Sequence, residues 1–217
     1  MAIWWFSGSQ FDSSAKELQR LLAISCYQTA WTWLQKLRLA MGKADQGRCR
    51  GVVEIGCSTV APAREKKERA LVLTAAEVLL AMGITGRIRM RHISQLDSST
   101  LLDFAQDAVL STSSIFVPED QRYNGLNGFS SAYVARFPPT SPQRTVALNH
   151  SFETVLHSVH RGGVTVKHLQ SYLDEFCFRN NAALLPDHDT IFRTLLTGIF
   201  NNIDEAAAHP GPEEIAP

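Results

Sequence analysis

Apolar residues recur at helical spacing near the start of the chain and change to a period of two near residue 51. Residues 12–41 predict two helices joined by a short turn. Ser14 followed by Glu17 is a capping box, and Ala15, Leu18, Leu21 and Leu22 form the first apolar face. Ser25 followed by Gln28 repeats the signature ahead of a second helix, Gln28 to Met41. There Ala30, Trp33, Leu34, Leu37 and Met41 recur. Short apolar runs then predict strands at 51–55, 70–78, 86–93 and 113–117, with an edge strand at 131–137 before the breaker 138–142. In the third run Ile88, Met90 and His92 alternate with Arg87, Arg89 and Arg91, which gives the strand one basic face. Helices are predicted at 98–109, 146–159, 165–181 and 188–203. In the third of these, Val166, Leu169, Leu173 and Phe176, followed by Asn180, form the face to be buried.

The chain has 217 residues and a formal net charge of zero, but the charge is unevenly spread. Residues 1–50 hold Lys16, Arg20, Lys36, Arg38, Lys43, Arg48 and Arg50 against Asp12, Glu17 and Asp45. The end of the chain holds Asp204, Glu205, Glu213 and Glu214 with no base. A basic helical pair suggests contact with phosphates. If Trp33, Leu34 and Leu37 turn inward, Gln28, Thr29, Thr32 and Gln35 are left to read bases, with Lys36 and Arg38 placed for phosphates. The alternative is a helical hairpin that only packs. The acidic, Pro- and Ala-rich end predicts disorder over 204–217. No apolar run approaches the roughly 18 residues of a spanning helix, and no signal peptide is evident, so a cytoplasmic protein without membrane contact is expected. Cys26, Cys49, Cys57 and Cys177 lack the spacing of a zinc site and read as reduced thiols. His157, His160 and His168 read as solvated or capping side chains rather than ligands, and the mixed run Arg64 to Arg69 as a solvated loop.

The order of three strands, a helix, a strand and then helices is that of an α/β, RNase H-like fold, a mixed sheet flanked by helices. Here an N-terminal helix-turn-helix-like region precedes it. The expected divisions are 1–48 for the helical region, 49–203 for the sheet domain and 204–217 for the tail. The segment Gly163 to Asn181, with Lys167-His168-Leu169, Tyr172-Leu173, Glu175-Phe176 and Phe178-Arg179-Asn180-Asn181, closely resembles the end of the catalytic domain in ISXO-type insertion-sequence transposases. Further stretches resemble the same family: Val53-Glu54-Ile55, Gly86-Arg87-Ile88-Arg89-Met90-Arg91, and Tyr123 with Gly125 and Leu126.

That resemblance implies cleavage and strand transfer on the double-stranded ends of a transposon, by carboxylates that hold two magnesium ions. A homo-oligomer is compatible with it. Followed residue by residue, the family's first aspartate falls on Gly56 and the second on Pro118. Its helix-borne amide and lysine fall on Ser151 and Glu153. Glu54 and Asp120 are the nearby acids that could substitute. The family's N-terminal zinc-ribbon cysteines are not found in the chain, which reads as shortened. The resemblance therefore implies a transposase-family protein whose own copy of the chemistry is lost and which needs no cofactor. The alternatives are a non-enzymatic protein that occupies transposon ends, or a remnant without function.

Overall fold

The computed structural model describes residues 2–8, 14–62, 69–79, 84–129, 133–137, 143–159 and 163–208. Three helices come first: α1 (Ala2–Gly8), α2 (Ala15–Leu21) and α3 (Tyr27–Ala44). Ser14 caps α2 by accepting from the Glu17 amide at 3.2 Å, as the sequence signature requires. The second signature does not act. Helix α3 starts one residue before Gln28, with Cys26 at the cap position and no side-chain cap bond. Strands β1 (Val52–Val60), β2 (Ala70–Leu79) and β3 (Ile84–Ile93) follow, then α4 (Ser98–Ala108), β4 (Ser114–Pro118) and β5 (Tyr133–Phe137). Helices α5 (Arg144–Val159), α6 (Val166–Ala182) and α7 (His188–Ala208) complete the order.

The five strands lie in the order β3-β2-β1-β4-β5. The first three are antiparallel neighbours, and β4 runs parallel to both β1 and β5, so the sheet is mixed. β5 is the edge strand foreseen at 131–137. β1 continues past the expected 55 to Val60 because its pairing with β2 carries through Gly56 and the polar Ser58. Alternation assigns the two faces. Val53, Ile55, Leu73, Ala75, Ile115 and Val117 pack with Leu101, Phe104 and Ala105 of α4. Val60, Val72, Ala76, Ile88 and Met90 pack with Phe152 and Leu156 of α5 and with Leu169, Leu173 and Phe176 of α6. This is the α/β, RNase H-like arrangement of a mixed sheet between helices.

A third cluster joins Phe6, Leu18, Leu34, Leu37 and Met41 to Phe178 of α6 and Leu195 of α7. The expected boundary at 48 therefore cuts through a shared core. The expected tail begins too early, because α7 runs past 204 to Ala208. Residues 209–217 lie outside the described residues, as do the charge run over 64–68, the breaker 138–142, His160 and the first part of the 131–137 run. Among the described residues, no helix is long and apolar enough to cross a membrane.

Candidate functional site

The pairing of β1 with β4 puts Glu54 beside Phe116. Two residues further along each strand stand Gly56 and Pro118. Strand alternation turns both toward the face covered by α5. The two positions that the resemblance assigns to aspartates thus lie on neighbouring parallel strands, each two residues past the last β1–β4 pair, and neither has a carboxylate.

Glu54, on the same face, is buried and fully engaged. Its carboxylate accepts from the backbone amides of Arg144 at 3.1 Å and Thr145 at 2.9 Å, and from the Thr145 hydroxyl at 2.7 Å. It acts as the cap of α5, where a negative charge meets the helix's free amides. A Cβ built on Gly56 would run into that same Thr145 hydroxyl. Thr145 therefore fills the space beside Gly56.

Helix α5 presents Thr145, Asn149, Phe152 and Leu156 as its buried residues. Asn149 donates to the Thr74 hydroxyl at 3.0 Å and to the Thr145 carbonyl at 2.7 Å, and Thr74 pairs with Gly56 across β1 and β2. Among the described residues its amide oxygen, which is buried, has no partner. The helix-borne amide nearest Gly56 is thus Asn149, two residues before the position expected from the sequence. Ser151 instead lies exposed and donates to the Ala147 carbonyl at 3.0 Å. Glu153 accepts from the Ala61 amide and ties α5 to the end of β1. The importance of Thr145 was missed, although the spacing 145, 149, 152, 156 marks one helix face.

Asp120 is no closer to serving as a substitute. It caps the 3-10 turn Gln121–Leu126, accepting from the Arg122 amide at 2.9 Å and pairing with the Arg122 guanidinium. Those bonds hold its carboxyl below the usual range. Magnesium requires clustered hard oxygens. Glycine, proline, threonine and asparagine with an engaged Glu54 do not make such a set, so the residues present do not fit the metals of the family. His157 makes a 2.8 Å bond with the Ala61 carbonyl, and His168 packs against Trp31.

The residues expected to touch DNA divide into two groups. Gln28, Thr29 and Lys36 are exposed on α3, and Thr32 is partly covered with its hydroxyl on the Gln28 carbonyl at 2.9 Å. Gln35 turns inward and accepts from Ser171 at 3.0 Å. Arg38 is buried at 1% exposure, so its assignment to phosphate contact is wrong. Its Nε donates to Glu175 at 2.7 Å and its guanidinium lies 4.1 Å from the centre of the Tyr172 ring. A buried acid on α6 holds it. Trp33, expected inside, is 47% exposed. The buried stripe runs instead through Ala30, Leu34, Leu37, Arg38 and Met41, which turns Trp33 outward.

The segment Gly163 to Asn181 explains its own composition. Glu175 also accepts from Arg179 at 2.9 Å. Asn181 and Gln170 bond the open edge of β3: the Ile88 amide donates to Asn181 at 2.8 Å and the His92 amide to Gln170 at 2.9 Å. Asn181, not Asn180, is the buried member of the pair. The segment fixes α3, α6 and β3 to one another and brings no catalytic group to Gly56.

One solved structure with which the chain shares a likeness is described as "CryoEM structure of simian T-cell lymphotropic virus intasome in complex with PP2A regulatory subunit B56 gamma". The identity is 12% and the TM-score 0.40, over 74% of this chain and 64% of that one, a likeness too distant to carry an argument. No curated protein matches the chain. The family described as the ISXO2-like transposase domain matches residues 57–181, more than half of the sequence, a span that includes Pro118, Thr145 and Asn149 and begins just after Gly56, and the chain belongs to that family.

Proposed function

We propose that this chain is a transposase-family protein that engages double-stranded DNA at element ends without cutting it. The observation that supports the reading is that Gly56 and Pro118, the positions to which the resemblance assigns the two aspartates, lie on neighbouring strands two residues past the pair Glu54 and Phe116 and offer no carboxylate. Ligands that hold shared metals act as a unit, so loss of both acids removes nearly all of the rate. The nearby acids are engaged elsewhere: Glu54 caps α5 and Asp120 caps its own turn. Contact with DNA falls to the exposed part of α3, with Gln28, Thr29 and Thr32 toward bases and Lys36 toward phosphate.

The test is incubation of purified protein with duplex carrying the element's terminal repeats, in magnesium and in manganese. Retained binding with neither nicking nor strand transfer is expected. Metal-dependent nicking that disappears in Glu54→Gln or Asp120→Asn would overturn the reading. A second arm adds carboxylates back. Gly56→Asp with Pro118→Asp should bind magnesium by calorimetry only when Thr145→Ala is added, because the threonine hydroxyl blocks the new side chain. Equal binding with and without Thr145→Ala would show that Thr145 does not fill the site.

A further inference from the structure

An open cleft of about 640 Å3 lies between α2 and α3 on one side and the junction of α5 with α6 on the other. Its size is within the roughly 300–1,000 Å3 of sites that hold small-molecule-sized groups. It is not the Gly56 region. Ser158, on its wall, lies 13 residues along α5 from Thr145, or about 20 Å at the helical rise.

One wall is a single stripe of α3: Tyr27, Trp31, Leu34 and Arg38. His168 and Tyr172 of α6 adjoin that stripe, against Trp31 and Arg38, and Lys16 of α2 also lines the cleft. Trp31 is held edge-on by His168, with ring centres 5.5 Å apart. Tyr27 is 53% exposed and belongs to none of the apolar clusters, so packing of the core does not account for it. Arg38 is fixed from behind by Glu175, which does not line the cleft. Among the described residues that do line it there is no carboxylate. The Arg38 charge is met by Glu175, so the cleft combines aromatic rings with the positive charge of Lys16.

We infer that this cleft holds an unpaired nucleotide of a DNA strand, with the base stacked on Tyr27 and Trp31 and the phosphate on Lys16. The inference rests on the DNA reading above and names a second contact for it. Every base offers a π-face to an aromatic wall, and a lysine neutralises the adjoining phosphate without selecting sequence. A paired base keeps its faces within the stack and would not reach the wall.

The test measures fluorescence anisotropy of a labelled oligothymidylate single strand and of a terminal-repeat duplex with the full chain at low salt. The variants are Tyr27→Ala, Lys16→Ala and, as a charge control outside the cleft, Arg193→Ala. Tyr27→Ala should weaken single-strand binding roughly 5- to 150-fold, the range for loss of one stacked base. Its melting temperature should stay near that of the parent, since the ring is exposed. Lys16→Ala should weaken it and flatten its salt dependence, while Arg193→Ala should do neither. Inorganic polyphosphate should compete poorly, because it has no base. Unchanged single-strand binding in Tyr27→Ala, or competition by polyphosphate as strong as by unlabelled oligonucleotide, would overturn the inference. Duplex binding without single-strand binding would sink the cleft and leave the proposed function intact. Single-strand binding without duplex binding would do the reverse.

Discussion

Asp174 points to the cavity of about 300 Å3 between the end of α3, the edge of β3, α4 and α6. Burial pushes its carboxyl up, and the bond from Gln170 and the nearby Arg89 oppose this only in part. The folded chain then holds the Asp174 proton more tightly than the unfolded chain, whose carboxyl titrates near the ordinary 3.8. Stability from this residue therefore grows as pH falls through the raised folded value, and at neutral pH the ionised side chain is a cost. Asp174→Asn keeps an oxygen for Gln170 and removes the charge. It should raise the melting temperature at pH 7, and the gain should shrink toward pH 4. A thermal scan at the two values checks this, and a variant less stable than the parent at pH 7 would contradict it. The carboxylate of the neighbouring Glu175 meets two guanidiniums, those of Arg38 and Arg179. At this scale the sequence offers, through the resemblance, an alignment in which Glu54 and Tyr123 put the family's two aspartates on Gly56 and Pro118. It could not expose Thr145, which meets Glu54 from 91 residues away. Nor did it expose the burial of Arg38, which depends on Glu175, 137 residues away.

Helix α6 shows why strands and helices were largely legible while their faces were less so. Its limits, and those of β2, β3 and α4, follow from periodicity alone, and each falls within two residues of expectation. The exceptions have local causes: Gly56 and Ser58 break the apolar pattern of β1 without breaking its pairing. The basic face read from Arg87, Arg89 and Arg91 is real but not free. Arg87 pairs with Asp45, Arg89 donates to the Asp45 carbonyl and Arg91 pairs with Asp107. β3 is an edge strand, and such edges invite pairing with other chains unless covered. Asn181 covers this one by accepting from Ile88 and donating back to its carbonyl at 2.9 Å. Asn181→Leu would leave buried polar groups of Ile88 and Asp45 without that partner, at about 1–3 kcal/mol for each group left unsatisfied. The variant should lose hydrogen-exchange protection at the Ile88 amide and sediment as larger species at high concentration. Protection equal to the parent would mean that the edge is covered by something else.

The whole molecule is held by an outer helical layer whose core is not its own. Phe6, Leu18, Leu34, Leu37 and Met41 close on Phe178 and Leu195, and α3 packs against both α6 and α7. Sequence patterning drew a boundary at 48 because helical spacing gives way to strand spacing there. A change of element type does not mark a change of core, and the buried pair Arg38–Glu175 also crosses that boundary. A fragment of residues 1–50 would expose those five large apolar side chains and leave Arg38 without its acid. Fully burying such a side chain is worth about 1.5–3 kcal/mol, and α1 and α2, at 7 residues each, fall below the about 12–15 residues under which isolated helices are marginal in water. The fragment alone should therefore show weak helicity and no cooperative thermal transition, whereas mixing it with a 51–217 fragment should restore both. Circular dichroism of the separate and mixed fragments decides the matter. A cooperative transition in 1–50 alone would show an autonomous helical domain. Its absence would mean that any grip of α3 on DNA requires the sheet domain behind it, so DNA-binding assays on this protein must use the full chain.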